Sequence, residues 1–427
     1  MYMVDQRGVV GIDDGQVADA WKDVPRSGIV EGDGPRSPAG TAAAAAAAPA
    51  TPGAAARPGA KPAADTRPAL AGMTLADMQE RLAEWGEPAF RARQLYRWVY
   101  SRRALSFDEM TDMSKTLREH LAREFRLHPL RLADRKPSGA DGSAKLLFGL
   151  DDGRYVEGVL MPDHGRLTLC VSSQVGCAVD CKFCLTGLMG FQRNLTAGEI
   201  VSQAILASRD PLASEPSDER EPNAPPLTNI VFMGMGEPLL NPRGVLGAIR
   251  LLTDTSGLGM GLSPRRVTVS TAGVVPGIDR LSEAELGVKL AISLNGTTEE
   301  QRSMVMPITR TYGLEDLMAA LRRYRLPRTH RITFEYVMLA GINDQLDDAR
   351  RLVKLVHGLR TKINLIPFNP DSALPFQRPT REAAEAFQQI LLDAGLTVSI
   401  RWSKGLDVDA ACGQLAGRWR PPAEVEA

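Results

Sequence analysis

Between residues 167 and 369 the chain alternates short β-branched and apolar runs with longer amphipathic stretches. This alternation constrains the fold more than any other feature. The runs are LTLCVSS (167–173), TNIVFMGM (228–235), RRVTVST (265–271), VKLAISL (288–294), RITFEYVML (331–339) and TKINLIPFN (361–369). Helix-like segments such as LTAGEIVSQAILAS, GLEDLMAALRRYR and DDARRLVKLVHGL lie among them. Strands separated by helices of this length form βαβ units and a parallel sheet. Six units predict an α/β fold built on a partial (β/α)6 barrel. Ligands bind at the carboxyl ends of the strands in such sheets, so the residues following each run are the ones expected to carry chemistry.

The flanking regions read differently. Residues 1–71 include an alanine run at 42–48 followed by PATPGAAARPGAKPAA. That composition buries too little apolar surface to offset the entropy of ordering, and it predicts a disordered tail. Residues 72–130 predict a helical accessory module. Leu75, Met78, Leu82 and Trp85 fall at helical spacing behind Thr74 as a cap, and Phe90, Leu95, Trp98 and Val99 point towards a core. Arg93 and Arg97 fall on another face of that second helix, which either touches nucleic acid or is a solvated charged surface. Residues 131–166 predict a small β region, 167–415 the barrel, with 209–227 a surface loop, and 416–427 a short tail.

Lys plus Arg and Asp plus Glu each number 51, so the formal net charge is zero and any nucleic-acid surface must be a local patch. No stretch reaches the roughly 18 apolar residues of a membrane span. The expected setting is a cytoplasmic monomer without a membrane partner.

Five cysteines remain to be explained, and three occur as CAVDCKFC over 177–184. The CxxxCxxC spacing of Cys177, Cys181 and Cys184, directly after the first run, suits a [4Fe–4S] cluster held by three thiolates with one iron left open. A structural zinc site is the alternative, although a fourth Cys or His in a second pair is missing. Taken singly, Cys170 reads as a core cysteine, Cys412 as a small packing residue and Glu157 as an exposed strand carboxylate.

The run resembles the signature of the radical S-adenosylmethionine superfamily, including an aromatic residue, Phe183, before the last cysteine. GMGEP at 234–238 is similar to that superfamily's GGEP turn. SQVGCAVDCKFC, VFMGMGEPLLN, RRVTVSTAGVVP, INLIPFNP and DVDAACGQL together resemble the adenine-methylating dual-specificity RNA methyltransferases of the RlmN type, over about residues 73–415. The resemblance implies a radical-SAM barrel holding one [4Fe–4S] cluster per subunit on Cys177, Cys181 and Cys184. It implies contacts to S-adenosylmethionine from Gly236, Glu237, Ser270, Ser293, Leu294, Asn295 and Asn369. The family usually reads Ser-Leu-His where this chain has Ser293, Leu294 and Asn295.

By the same resemblance, one S-adenosylmethionine methylates Cys412 and a second yields a 5′-deoxyadenosyl radical that takes a hydrogen from the new methyl group. The methylene radical adds to adenine C2, Glu157 accepts the C2 proton, and Cys170 releases the product by forming a transient disulfide with Cys412. The implied substrates are an adenine of the peptidyl-transferase centre in 23S rRNA and an adenine beside the anticodon in tRNA. A flavodoxin-type protein is the implied reducing partner. A Cfr-type enzyme, acting at adenine C8, shares these motifs and is the alternative.

Overall fold

The computed structural model describes residues 65–214 and 225–416, together with Lys22. The predicted N-terminal tail up to residue 64, most of the 209–227 loop and the segment after 416 therefore lie outside the described residues.

The helical module forms as its periodicity predicts. Thr74 caps the helix Leu75–Ala83 in a capping box with Asp77, and Met78 and Leu82 are buried. The helix Ala89–Tyr100 buries Leu95, Trp98 and Val99. Phe90 departs from expectation: it sits in the first turn and is 43% exposed, with the Arg91 guanidinium 4.8 Å from its ring centre. Ser114 caps the third helix, Lys115–Glu124.

Among the described residues twelve strands follow: β1 (Leu130–Pro137), β2 (Ala144–Leu150), β3 (Tyr155–Asp163), β4 (Arg166–Cys170), β5 (Gln174–Val175), β6 (Arg193–Asn194), β7 (Asn229–Phe232), β8 (Val267–Thr271), β9 (Lys289–Ser293), β10 (Ile332–Met338), β11 (Thr361–Pro367) and β12 (Val398–Ile400). Ten of them make one sheet in the order β1-β2-β3-β4-β7-β8-β9-β10-β11-β12, and β5 pairs only with β6. β1 to β4 pair antiparallel, whereas every pairing from β4 to β12 is parallel. All six predicted runs are strands of the parallel part. β12 is a seventh that hydrophobic patterning did not reveal, because its three residues are only half-buried.

The sheet is linear rather than closed, so the architecture is an open α/β barrel. The β region between residues 130 and 163 continues that sheet across β3 and β4 instead of standing apart. Pairing register fixes which side chains share a face. Lys145 of β2 and Cys170 of β4 both lie opposite Val159 of β3. Glu157, two residues from Val159, falls on the same face, since side chains alternate along a strand. Cys170 in turn pairs with Val231, which carries the face on towards Met233.

Candidate active site

A cavity opens at the carboxyl ends of the parallel strands, where the topology predicted it. Its wall includes Cys177, Cys181 and Cys184, then Gly236, Glu237, Ser270, Ser293, Asn295 and Asn369, and finally Cys412. Met233 lines it too, so the sheet face that carries Cys170, Glu157 and Lys145 is the face turned to this cavity. Cys170 and Glu157 are its neighbours rather than part of its lining.

The loop of the three cysteines is shaped by backbone contacts that exclude side chains. Gly176 has φ +74°, and a Cβ there would lie 1.8 Å from the Gly190 carbonyl oxygen. The Cys177 amide donates to that oxygen (3.2 Å), Lys182 N donates to Val305 O (2.9 Å) and Cys184 N to Cys181 O (3.1 Å). Burial pushes the Cys177 and Cys181 thiols up, and each is pushed further by the charge of neighbouring cysteines. Thiolates crowded in this way need positive charge beside them. Among the described residues no three acidic, His or Cys side chains converge on a single ion. Cubane ligands have no need to converge, because each thiolate binds its own iron, so the donor set fits a cluster.

The polar wall opposite is equally specific. Gly236 has φ +98°, and a Cβ there would meet Gln174 Cβ at 2.5 Å. This glycine lets the turn after β7 press against the strand before the cysteine loop. Glu237 follows it. Its Oε1 accepts from Leu239 N (3.0 Å) and its Oε2 from Ala272 N (2.7 Å), which locks the turn to the end of β8. Burial raises its carboxyl to about 7 against the pull of these amides. Asn295 takes φ +54°, a left-handed conformation that asparagine tolerates. Its Oδ1 accepts from Val337 N (2.7 Å). Leu294 is the one predicted contact whose residue does not line the cavity; its side chain is fully buried.

Cys412 reaches the cavity on a C-terminal segment secured from several sides. Asn369 Nδ2 donates to Cys412 O (3.1 Å) and to Ser403 Oγ (2.8 Å), and Leu185 N donates to Gly413 O (2.8 Å). Asp407 accepts from Ser138 Oγ (2.7 Å) and Gly139 N (3.0 Å) of the β1–β2 turn. The Cys412 thiol is accessible, and the space it faces is the cavity itself; the surrounding protein, with Glu335 and Cys184 nearby, still pushes it up to about 11. Burial likewise raises the Cys170 thiol, with a smaller contribution from Cys412, so these two sulfurs feel one another. Both are free thiols here.

Glu157 is fully buried rather than exposed. Lys145 Nζ stands 3.1 Å from its Oε2, a contact of opposite charges. Sequence reasoning missed Glu335, which lines the cavity from β10 with Oε1 held by Asn364 Nδ2 (2.8 Å). Its only signal was a charge within an otherwise apolar run.

A parallel sheet with three cysteines, a Gly–Glu turn and a polar wall at its carboxyl ends defines a radical S-adenosylmethionine enzyme, and residues 171–353 match the Radical SAM superfamily. Residues 69–127 match the ribosomal RNA large subunit methyltransferase N-terminal domain. The chain is 49% identical over 346 residues to a dual-specificity RNA methyltransferase RlmN of Syntrophobacter fumaroxidans, covering 81% of this chain and 97% of that one. It is 46% identical over 345 residues to the protein of the same name from Geotalea uraniireducens, covering 81% and 95%. The crystal structure of a radical SAM methyltransferase from Sphaerobacter thermophilus superposes with a TM-score of 0.76 at 45% identity, over 82% of this chain and 100% of that one. The chain belongs to the RlmN family of dual-specificity RNA methyltransferases. It is a radical S-adenosylmethionine RNA methyltransferase, a class that works with a [4Fe–4S] cluster and S-adenosylmethionine.

Proposed function

We propose that this enzyme methylates C2 of adenine in two RNAs, at the peptidyl-transferase centre of 23S rRNA and beside the anticodon of tRNA, through a methyl group carried on Cys412. The observation that carries this reading is the placement of Cys412 in the cavity of Cys177, Cys181 and Cys184, with Cys170 and Glu157 on the adjoining sheet face. Cys177, Cys181 and Cys184 would hold the cluster. Gly236, Glu237, Ser270, Ser293, Asn295 and Asn369 would hold S-adenosylmethionine, with Leu294 setting the backbone between its two neighbours. Bound there, the two groups would supply a methyl group, a carbon radical and, in the cluster, an acceptor for the one electron that the RNA adduct must lose.

The residues of the chain divide the remaining work. Adenine C2 is electron-poor and resists direct attack on a methyl sulfonium, so the carbon must arrive from a carrier, and Cys412 Sγ is the carrier. Glu157 takes the C2 proton. Cys170 then attacks Cys412 Sγ, and the bond from that sulfur to the methylene carbon breaks. The electron pair stays on carbon, which takes up a proton and becomes the methyl group, while the two sulfurs form a disulfide. Two electrons from a flavodoxin-type partner return the thiols. Burial raises the Cys170 thiol, so it reacts only when a neighbouring group takes its proton, whereas the accessible Cys412 thiol faces the cavity in which it would be methylated. The domains divide accordingly: residues 72–130 as the RNA-contacting module, 131–166 as the strand region bearing Glu157, and 167–415 as the barrel.

Single-turnover transfer of label from methyl-labelled S-adenosylmethionine to Cys412, followed by mass spectrometry of the modified RNA, tests the reading. Label on Cys412 and 2-methyladenine in the RNA are expected. The absence of label on Cys412 overturns the carrier role, and 8-methyladenine alone, the product of a Cfr-type enzyme, overturns the regiochemistry.

A further inference from the structure

Among the described residues Lys145 is the one lysine whose side chain is nearly as buried as the apolar residues around it, at 5% exposure, and no sequence motif draws attention to it. It lies in β2 between Ala144 and Leu146, both fully buried, and its partner strand offers Val156 and Val159. A lysine is seldom buried unless its ammonium is paired. Here Nζ makes two contacts from one point: Glu157 Oε2 at 3.1 Å and the carbonyl oxygen of Asp409 at 3.0 Å. The first belongs to the sheet. The second belongs to the segment that carries Cys412, three residues downstream. Neither Glu157 oxygen receives a hydrogen bond among the described residues: Oε2 meets Lys145 as an ion pair, and Oε1 is open.

A buried ion pair contributes little net stability compared with apolar residues of similar size. Ala144, Leu146, Val156 and Val159 beside the pair are apolar and buried, and Lys136 of β1 stands opposite Lys145 in register, so a purely structural residue among those apolar neighbours would be expected to be apolar as well. The two charges are better explained by what they position. Asp409 is in a left-handed conformation (φ +51°), and the preceding turn is fixed by Gly405 N donating to Asp141 Oδ2 (2.6 Å). The Asp409 carbonyl is therefore a defined strut, available to Lys145 only when the Cys412 segment is docked.

We propose that Lys145 is a positioning residue that aligns Glu157 with the docked Cys412 segment, so that the proton acceptor is assembled only when the methyl carrier is in place. Lys145 takes part in no bond change itself; the C2 proton passes to Glu157. The proposal rests on the reading of Glu157 as that acceptor.

The test uses the cluster-loaded full chain, S-adenosylmethionine, a reducing system and an unmodified rRNA fragment containing the target adenine. The covalent protein–RNA adduct is isolated, and its release is timed on denaturing gels, so the readout does not depend on how fast the adduct forms. Glu157→Gln is expected to slow release by about 10²–10⁴-fold, the range of a lost general base. Lys145→Met is expected to slow it by about 10²-fold, the cost of misplacing a reacting group. Because Lys145 acts through Glu157, the double variant Lys145→Met/Glu157→Gln should release at the rate of Glu157→Gln alone. The double variant buries no unpaired charge, so it remains informative if Lys145→Met by itself fails to fold. Release by Lys145→Met at the wild-type rate, or a double variant slower than Glu157→Gln, overturns the proposal and leaves the acceptor role of Glu157 standing. Wild-type release by Glu157→Gln overturns the acceptor role itself.

Discussion

Glu237 shows how one buried carboxylate links ligand binding to pH. Its carboxyl is raised from 4.5 to about 7 because burial penalises the charge more than two amides favour it. The folded chain therefore holds a proton between about pH 4.5 and 7 that the unfolded chain does not. Stability from this group is complete below 4.5 and is lost as pH rises through 7, a change of about 3 kcal/mol. If the ammonium of S-adenosylmethionine binds beside it, the ionised form is restored and a proton leaves. Calorimetry near pH 6 in buffers of different ionisation enthalpy should detect the release of nearly one proton per ligand, and Glu237→Gln should abolish it. Cys412→Ala should end RNA methylation while the cluster's visible absorption persists, since Cys412 is not one of its three ligands. What local spacing made legible at this scale was the three cysteines; the Gly–Glu turn and Asn369 were reached through the resemblance to the family. Glu335 and the Lys145–Glu157 pair were hidden because single charges in strands carry no periodic signal. Whether such a charge is exposed or buried is decided by the sheet's register, which a sequence does not display.

The C-terminal segment has only a 3-10 turn, Leu406–Val408, and is held by hydrogen bonds together with the burial of Ala410, Ala411 and Leu415. Asp407 accepts two of them from the β1–β2 turn, and Asn369 donates two to the segment, at Ser403 and Cys412. An element held in this way should open below the global unfolding free energy. Asp407→Ala should raise amide hydrogen exchange over 405–413 with little change elsewhere, at a cost of about 1–3 kcal/mol to local opening. Asn369→Ala should do the same and also slow methylation of Cys412. Uniform exchange across the chain in both variants would show that the segment does not open independently. Patterning found the six longer parallel strands because each is buried on two faces and reads as an unbroken apolar run. It missed β12, whose burial is partial, and β1, whose sequence LRLADRKP alternates too weakly and is mostly exposed.

The helical module and the barrel meet at a seam where two backbones touch at glycines and side chains bridge on either side. A Cβ at Gly72 would lie 2.8 Å from Gly198 Cα, and one at Gly198 would lie 2.3 Å from Ala71 O. Tyr96 Oη donates to Asp254 Oδ2 (2.9 Å) across the same seam. Two glycines in contact leave no space for a methyl group, and the opposing atoms are main chain, which cannot rotate away. Gly198→Ala should therefore displace the module by separating the seam, at a cost of about 1–3 kcal/mol, the range for overpacking. The cavity is formed by other residues, at the carboxyl ends of the strands. If residues 72–130 serve to hold RNA, the variant should lose RNA affinity and RNA methylation while still cleaving S-adenosylmethionine in the absence of RNA at the unaltered rate. Filter binding with an rRNA fragment, set beside the yield of 5′-deoxyadenosine without RNA, separates the two effects. Full RNA affinity in a variant whose melting temperature has fallen would assign the module a structural role and place RNA recognition on the barrel.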